Sequence, residues 1–448
     1  MTTPGRASLE QTVTRAVESP LVRGGLMIIA GIVAGNLLGF VRVAATAYLL
    51  GTGSRADALA VALGPIDSLN QVLINAMLFT FVPLLTDREG ADRARLFVRI
   101  RRVFAGALAA LSAAIALFAP QLVRMLAPGL TAEYTRMAEE ILRITAISPL
   151  VLGLAGIHGA LLYTRRRFAP TAFNQATINV FTILIAVGLW ERLGVYGFAA
   201  GYTAGACGQC LITWLAARTQ IDSGTRPSND RARDLLLRPA PVAIYAALLA
   251  VNIIVTRGYA THIGPGTAAA LEYCLRCLGV PLAFLVSPAA NSLLPEISRM
   301  ARESLWREAR ALTNRTLLLI GAAAVASCAV AIAVREPVIA LIFQRGSFTP
   351  DSTRLVSAVF LGFAPSLVGW SLLEIAGRSL FAMNRPWPPA VAAAMAVGLN
   401  AIFIGGASDS RPAMLGVGAS VGLIVAFAFL VTGTLWNRRW IAELRGRS

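Results

Sequence analysis

Long apolar stretches alternate with short polar ones along almost the whole chain. Uncharged runs long enough to cross a bilayer core of roughly 30 Å occupy Val103–Val123, Ile144–Thr164, Phe168–Trp190, Leu193–Ala217, Thr316–Val334, Pro386–Ser408 and Pro412–Asn437. Further apolar runs, around Arg42, Asp67, Arg257, Arg276 and Glu374, are interrupted by one or two charges. Together they predict an all-α polytopic membrane protein with about twelve transmembrane helices. The polar segments divide it into a tail at residues 1–23, a six-helix lobe at 24–217, a basic linker at 218–238, a second six-helix lobe at 239–437 and a basic tail at 438–448.

Composition agrees with this pattern. The chain has 448 residues, 56% of them hydrophobic and 14% charged, with a mean hydropathy of +0.66. The net charge of +17 invites a nucleic-acid reading, but its placement argues for a membrane instead. Every basic residue is Arg, and the arginines fill alternate loops. They cluster at Arg88 to Arg102, Arg165 to Arg167, Arg218 to Arg238, Arg299 to Arg315, Arg385 and Arg438 to Arg447. The positive-inside rule then puts both termini in the cytoplasm, and an even number of spans follows. The first apolar run is too long for the core of a cleavable signal peptide.

Chemistry of other kinds finds little support. Cys207 and Cys210, like Cys274 and Cys277, are CxxC pairs, but both pairs lie inside predicted membrane helices, where small residues pack helix against helix. HExxH, GxSxG and P-loop motifs are missing, and His158 and His262 are too separated for a catalytic cluster. The expectation is therefore no enzyme, no metal and no cofactor. Transport would draw on an ion gradient or the membrane potential rather than ATP.

Sliding the chain against itself by a little over two hundred residues brings its halves into step. Asn36 to Arg42 lies over Asn252 to Arg257, Phe81-Val82-Pro83 meets Leu293-Leu294-Pro295, and Ser148-Pro149 to Gly153 meets Ala364-Pro365 to Gly369. Six helices return a chain to the side it left, so the repeats are parallel, related by an axis along the membrane normal. Two such bundles around a central cavity are the plan of an alternating-access transporter, and one chain holding both needs no second subunit. A duplicated channel has the same outline.

Charges inside the spans mark the cavity. An arginine at the bilayer centre costs about 2.5–3.5 kcal/mol on insertion scales, so it faces water or a partner rather than lipid. With helix ends near Gly51, Gly264 and Gly266, the residues Arg42, Arg257 and Arg276 lie roughly 10 to 15 Å below the outer surface, at about 1.5 Å rise per residue. Converging guanidiniums suit a polyanion, because their planar forks form bidentate bonds to phosphate. The alternative is that they snorkel outward or pair with Asp57 or Glu272. Asp67 and Glu374 interrupt other helices; each is a proton carrier, a partner of a neighbouring arginine or, the favoured reading, a cavity-facing acid with no coupling role. Asn36 and Asn252 suit sugar hydroxyls or an interhelical hydrogen bond.

Several short motifs add a family resemblance that spans nearly the whole chain. Gly39-Phe40-Val41-Arg42, Gly51-Thr52-Gly53, Ala56-Asp57-Ala58, Pro65 and Phe81-Val82-Pro83 resemble the amino-terminal signature of the MviN/MurJ lipid II flippases, within the multidrug/oligosaccharidyl-lipid/polysaccharide exporter superfamily. Tyr273 with Arg276 and Pro281, then Arg335-Glu336-Pro337 and Phe343 to Thr349, resemble its later motifs. The resemblance implies a flippase in the bacterial cytoplasmic membrane whose partners are a polyprenyl-diphosphate-linked saccharide and membrane lipids. It implies that Arg42 and Arg276 meet the diphosphate and that Asp57 acts near the outer gate. Asn36 replaces a further arginine of the family, Val43 an acid and Gly279 a glutamate. The acids of the family's sodium site, on the seventh and eleventh helices, have no counterpart in residues 239–256 or 386–408. The family also carries two further carboxy-terminal helices. A flippase for exopolysaccharide or O-antigen intermediates, a drug/cation exporter with an acid-lined cavity, and a non-transporting scaffold remain alternatives.

Overall fold

The computed structural model describes residues 20–220, 228, 230–237, 240–383, 385, 387–406 and 411–435; the expected tails and most of the central linker lie outside these. The described residues are almost wholly helical. We number the principal helices α1 (Pro20–Leu50), α2 (Ser54–Thr86), α3 (Gly90–Leu117), α4 (Ala132–Thr164), α5 (Asn174–Gly188), α6 (Tyr196–Arg218), α7 (Ala240–Ile263), α8 (Thr267–Arg302), α9 (Trp306–Phe343), α10 (Pro350–Phe363 continued by Ser366–Ala382), α11 (Trp387–Gly406) and α12 (Met414–Thr434). Among the described residues, eight helices are long and apolar enough to cross a membrane, or nine when the two parts of α10, bent by 44°, count as one span. α5 and the stretch Ala247–Ile263 of α7 are shorter apolar helices.

Differences from the sequence reading come from breaks that apolarity does not register. The run Phe168–Trp190 divides into Ala169–Ala172, α5 and Trp190–Leu193, with Pro170 near the start and Gly194, at φ +51°, closing the end. α4 breaks at Ala146–Ile147, just before Pro149, and joins Ala132–Thr145 to Ser148–Thr164. In α8, Pro281 has no N–H to donate and crowds the preceding turn, and a π turn at Leu282–Val286 follows. α10 starts cleanly because Thr349 and Ser352 form a capping box with Pro350 in the first turn.

The described residues form two compact units. One is drawn from Met1–Arg42, Ile66–Phe118 and Ile141–Ala240, the other from Val43–Pro65, Ala119–Glu140 and Pro241–Ser448. α1 therefore leaves the first unit after Arg42, and α2 enters it at Ile66. Within the first unit α5 and α6 approach closely. A Cβ on Gly201 would lie 2.6 Å from the Thr182 Cα, and one on Gly205 2.7 Å from the Ile178 Cα. Lipid is as apolar as leucine, so such close backbone packing, rather than removal from water, joins membrane helices. The second unit has a core of Leu293, Ile297, Leu373, Ile375, Leu380, Leu423 and Leu430. Leu318, Leu319 and Leu341 of α9 stay exposed, as expected of a face turned to acyl chains.

Candidate functional site

In the first unit a polar network surrounds Arg42. The guanidinium is buried, and its Nη2 lies 3.5 Å from Oδ2 of Asp67 on α2. The other carboxylate oxygen accepts a hydrogen bond from the Tyr202 hydroxyl of α6 at 3.1 Å. Asn70, one turn beyond Asp67, donates to that hydroxyl and to the Ser148 Oγ, both at 3.0 Å. Ser148 in turn donates to the Thr145 carbonyl across the break in α4. Nearby, Gln71 donates to Gln175, and Asn179 to the Gly35 carbonyl. Asn36 itself is exposed.

Within the second unit Asp57 performs a different task. It is buried in the first turn of α2, where its two oxygens accept the Gly266 N–H at 2.5 Å and the Ala269 N–H at 2.8 Å. A carboxylate at the start of α8 satisfies donors that have no helical partner and favours the positive end of the helix dipole. The same hairpin is held elsewhere. Tyr273 donates to the Gly51 carbonyl at 2.7 Å, Thr52 to Ser352, and the Ser347 N–H to the Tyr48 carbonyl at 2.8 Å. Gly51 and Gly346, both at positive φ, face the Ser347 and Tyr48 carbonyls so closely that a Cβ on either would run into them. The ring of Tyr273 packs on Phe343 and Phe348, each with centroids 5.5 Å away.

Arg257 and Glu272 come together as an ion pair at 2.5 Å. Arg257 is buried and Glu272 partly exposed, and the Nε and Nη1 of Arg257 have no hydrogen-bond partner among the described residues. Gly64 packs directly beneath this guanidinium. Arg276, one turn beyond Glu272 on α8, is half-buried. Asn252 is buried, and its Oδ1 accepts from Asn400 of α11 at 2.6 Å, while Asn400 also donates to Thr256 at 2.8 Å. Glu374 pairs with Arg378 on its own helix at 2.6 Å. No cluster of three or more His, Cys, Asp or Glu suited to a metal occurs among the described residues.

Asp57 thus holds backbone rather than an arginine, whereas Asp67 and Glu272 each pair with one. Tyr202, Asn70 and Asn400 were not singled out by sequence, and Ser148 only as part of the repeat. Asp67 and Asn70, three residues apart on one helix face, were the available signal for the first network.

Comparisons with known proteins bear on what this arrangement serves. The family model described as Lipid II flippase MurJ matches residues 46–443. The probable lipid II flippase MurJ of Rhizobium meliloti (strain 1021) is 26% identical over 428 residues, covering 90% of this chain and 79% of the relative. Among solved structures, the lipid II flippase MurJ in an inward closed conformation superposes with a TM-score of 0.80 at 18% identity, over 91% of this chain and 87% of that one. An inward-facing multidrug resistance MATE family transporter of the MOP superfamily gives a TM-score of 0.75 at 14% identity, over 92% and 96%. The fold is therefore the all-helical membrane fold that these transporters share.

Proposed function

The chain belongs to the MurJ family of lipid II flippases, and we infer that it carries lipid II, a polyprenyl-diphosphate-linked saccharide, from the inner to the outer leaflet of the bacterial cytoplasmic membrane. The family match over residues 46–443 carries this reading. It is a transporter rather than an enzyme.

In this reading α1–α6 and α7–α12 are two parallel six-helix repeats around a central cavity, with both termini in the cytoplasm and one chain sufficient for transport. Arg42 and Arg276 hold the diphosphate, and Arg257 contributes its Nε and Nη1 groups. The lipid tail stays in the bilayer. Rocking of the repeats transfers the headgroup, provided the arginines favour substrate in one state and release it in the other. Asp57 closes the outer end by holding the start of α8, supported by its paired backbone hydrogen bonds. Asn252 and Asn400 pair between the seventh and eleventh helices, on which the family resemblance implies sodium-site acids, and the lack of acids in residues 239–256 and 386–408 supports transport that does not depend on sodium.

A flippase for exopolysaccharide or O-antigen intermediates draws on the uncharged Asn36, Val43 and Gly279. Complementation separates the two readings. A strain depleted of its lipid II flippase is rescued by this chain and not by its Arg42→Ala or Arg276→Ala variants; full rescue by both variants overturns the diphosphate assignment.

A further inference from the structure

Two features of the Arg42 network distinguish it from the Arg257–Glu272 and Arg378–Glu374 pairs. The first is its looseness. Arg257 and Glu272 approach to 2.5 Å and Arg378 and Glu374 to 2.6 Å, as charge-assisted hydrogen bonds do, whereas Arg42 and Asp67 stand 3.5 Å apart. The second is that Asp67 has another holder. Its Oδ1 accepts from Tyr202, whose fully buried hydroxyl is itself fixed by Asn70, and Asn70 is anchored on Ser148. Asn70 donates to Tyr202 and Tyr202 to Asp67, so a short chain of hydrogen bonds holds the Asp67 carboxylate independently of Arg42. Asp67 is also the more accessible partner, with 25% of its side chain exposed against 10% for Arg42.

We propose that Asp67 is a resident counter-ion of Arg42 that the substrate's diphosphate displaces, and that Tyr202 is the positioning residue that holds Asp67 at this displaceable distance. The proposal rests on the reading that Arg42 receives the diphosphate. A bare arginine in a membrane cavity would bind a polyanion tightly and release it slowly. An internal carboxylate competes for the same guanidinium, lowers the affinity, and re-forms the pair as the substrate departs. A diphosphate outcompetes it by offering more charge and two oxygens matched to the guanidinium fork. Without the Tyr202 hydroxyl, Asp67 closes on Arg42 and competes harder.

The test is binding of farnesyl diphosphate to the purified full chain in detergent micelles, read by calorimetry, with thermal unfolding of each variant recorded in parallel. Asp67→Asn keeps the side-chain shape and an acceptor for Tyr202, and its Kd falls at least about fivefold, the lower end of ordinary site-to-site coupling. Tyr202→Phe raises Kd, and that rise disappears in the double variant Asp67→Asn/Tyr202→Phe, because the hydroxyl acts only through the carboxylate. A purely structural tyrosine would weaken binding equally in both backgrounds. Arg42→Ala abolishes binding. If Arg42→Ala abolishes binding while Asp67→Asn leaves Kd unchanged or raised, the counter-ion role is overturned and the diphosphate contact stands. Should Asp67→Asn not fold, an unchanged Kd in Tyr202→Phe overturns the proposal. Undiminished binding by Arg42→Ala overturns the diphosphate reading itself.

Discussion

Replacing Asp57 by Asn leaves the side chain's shape but removes its charge and one of the two oxygens that hold the start of α8. The carboxylate now accepts the Gly266 and Ala269 N–H groups at 2.5 and 2.8 Å in a buried setting. A hydrogen bond to a charged group contributes about 1.5–3 kcal/mol net, and a negative charge at a helix N-terminus adds about 0.3–1 kcal/mol. Asn keeps one acceptor, so the expected loss is about 2–3 kcal/mol, concentrated on the contact between the α1–α2 hairpin and α8. Each ~1.4 kcal/mol is a tenfold change in an equilibrium. Opening of this contact should therefore become about thirty- to a hundredfold more frequent. Maleimide labelling of an Ala269→Cys variant, in a background where the five natural cysteines are replaced, reports the opening, since Ala269 is buried beside Asp57. Asp57→Asn should raise the labelling rate at least about tenfold. A rate within twofold of the parent would refute the view that Asp57 holds this contact shut.

Gly64→Ala places a methyl group against the Arg257 guanidinium and forces it away from Glu272. Because Glu272 is partly exposed, the loss should be about 2 kcal/mol rather than the ~3–5 kcal/mol of a fully buried pair. An SDS-unfolding titration should show it, with Gly53→Ala, where no atom lies near the added Cβ, as the neutral control. Equal midpoints for the two variants would contradict this packing. Gly201→Leu has no room against the Thr182 backbone, and the same titration should register a large loss of stability in the first unit; a parent-like midpoint would refute the close approach of α5 and α6. Replacing sodium by potassium on both sides of proteoliposomes should leave the transport rate within about twofold, because Asn252, Thr256 and Asn400 supply no carboxylate. A rate that collapses without sodium would contradict it.

The physics of single positions was readable in advance, whereas the pairing of positions was not. Arg42 announced itself because an arginine within an apolar run demands a partner or water. Which acid answered it depended on how α1 packs against α2: Asp57 and Asp67 share a helix, yet the first grips the backbone of α8 and the second faces Arg42. Tyr202 gave no sign, since a tyrosine inside the glycine-rich run from Gly197 to Gly205 looks like packing until Asn70 and Asp67 are brought to its hydroxyl. The corresponding residues Asn36 and Asn252 differ in setting, one exposed and the other tied to Asn400, so the repeat in sequence did not carry over to their surroundings. Apolar runs located the helices but not their breaks, which depend on proline and on glycine at positive φ, as at Pro149, Pro281 and Gly194.

The chain is proposed to move a polyprenyl-diphosphate saccharide across the bilayer with Arg42 as one of its holds. Translocation of lipid II by the purified chain in proteoliposomes tests this most directly, with headgroup exposure read by a membrane-impermeant probe. The parent should move lipid II outward, and a folded Arg42→Ala variant should move none above empty vesicles. No translocation by the parent, or equal translocation by both, would contradict the proposal.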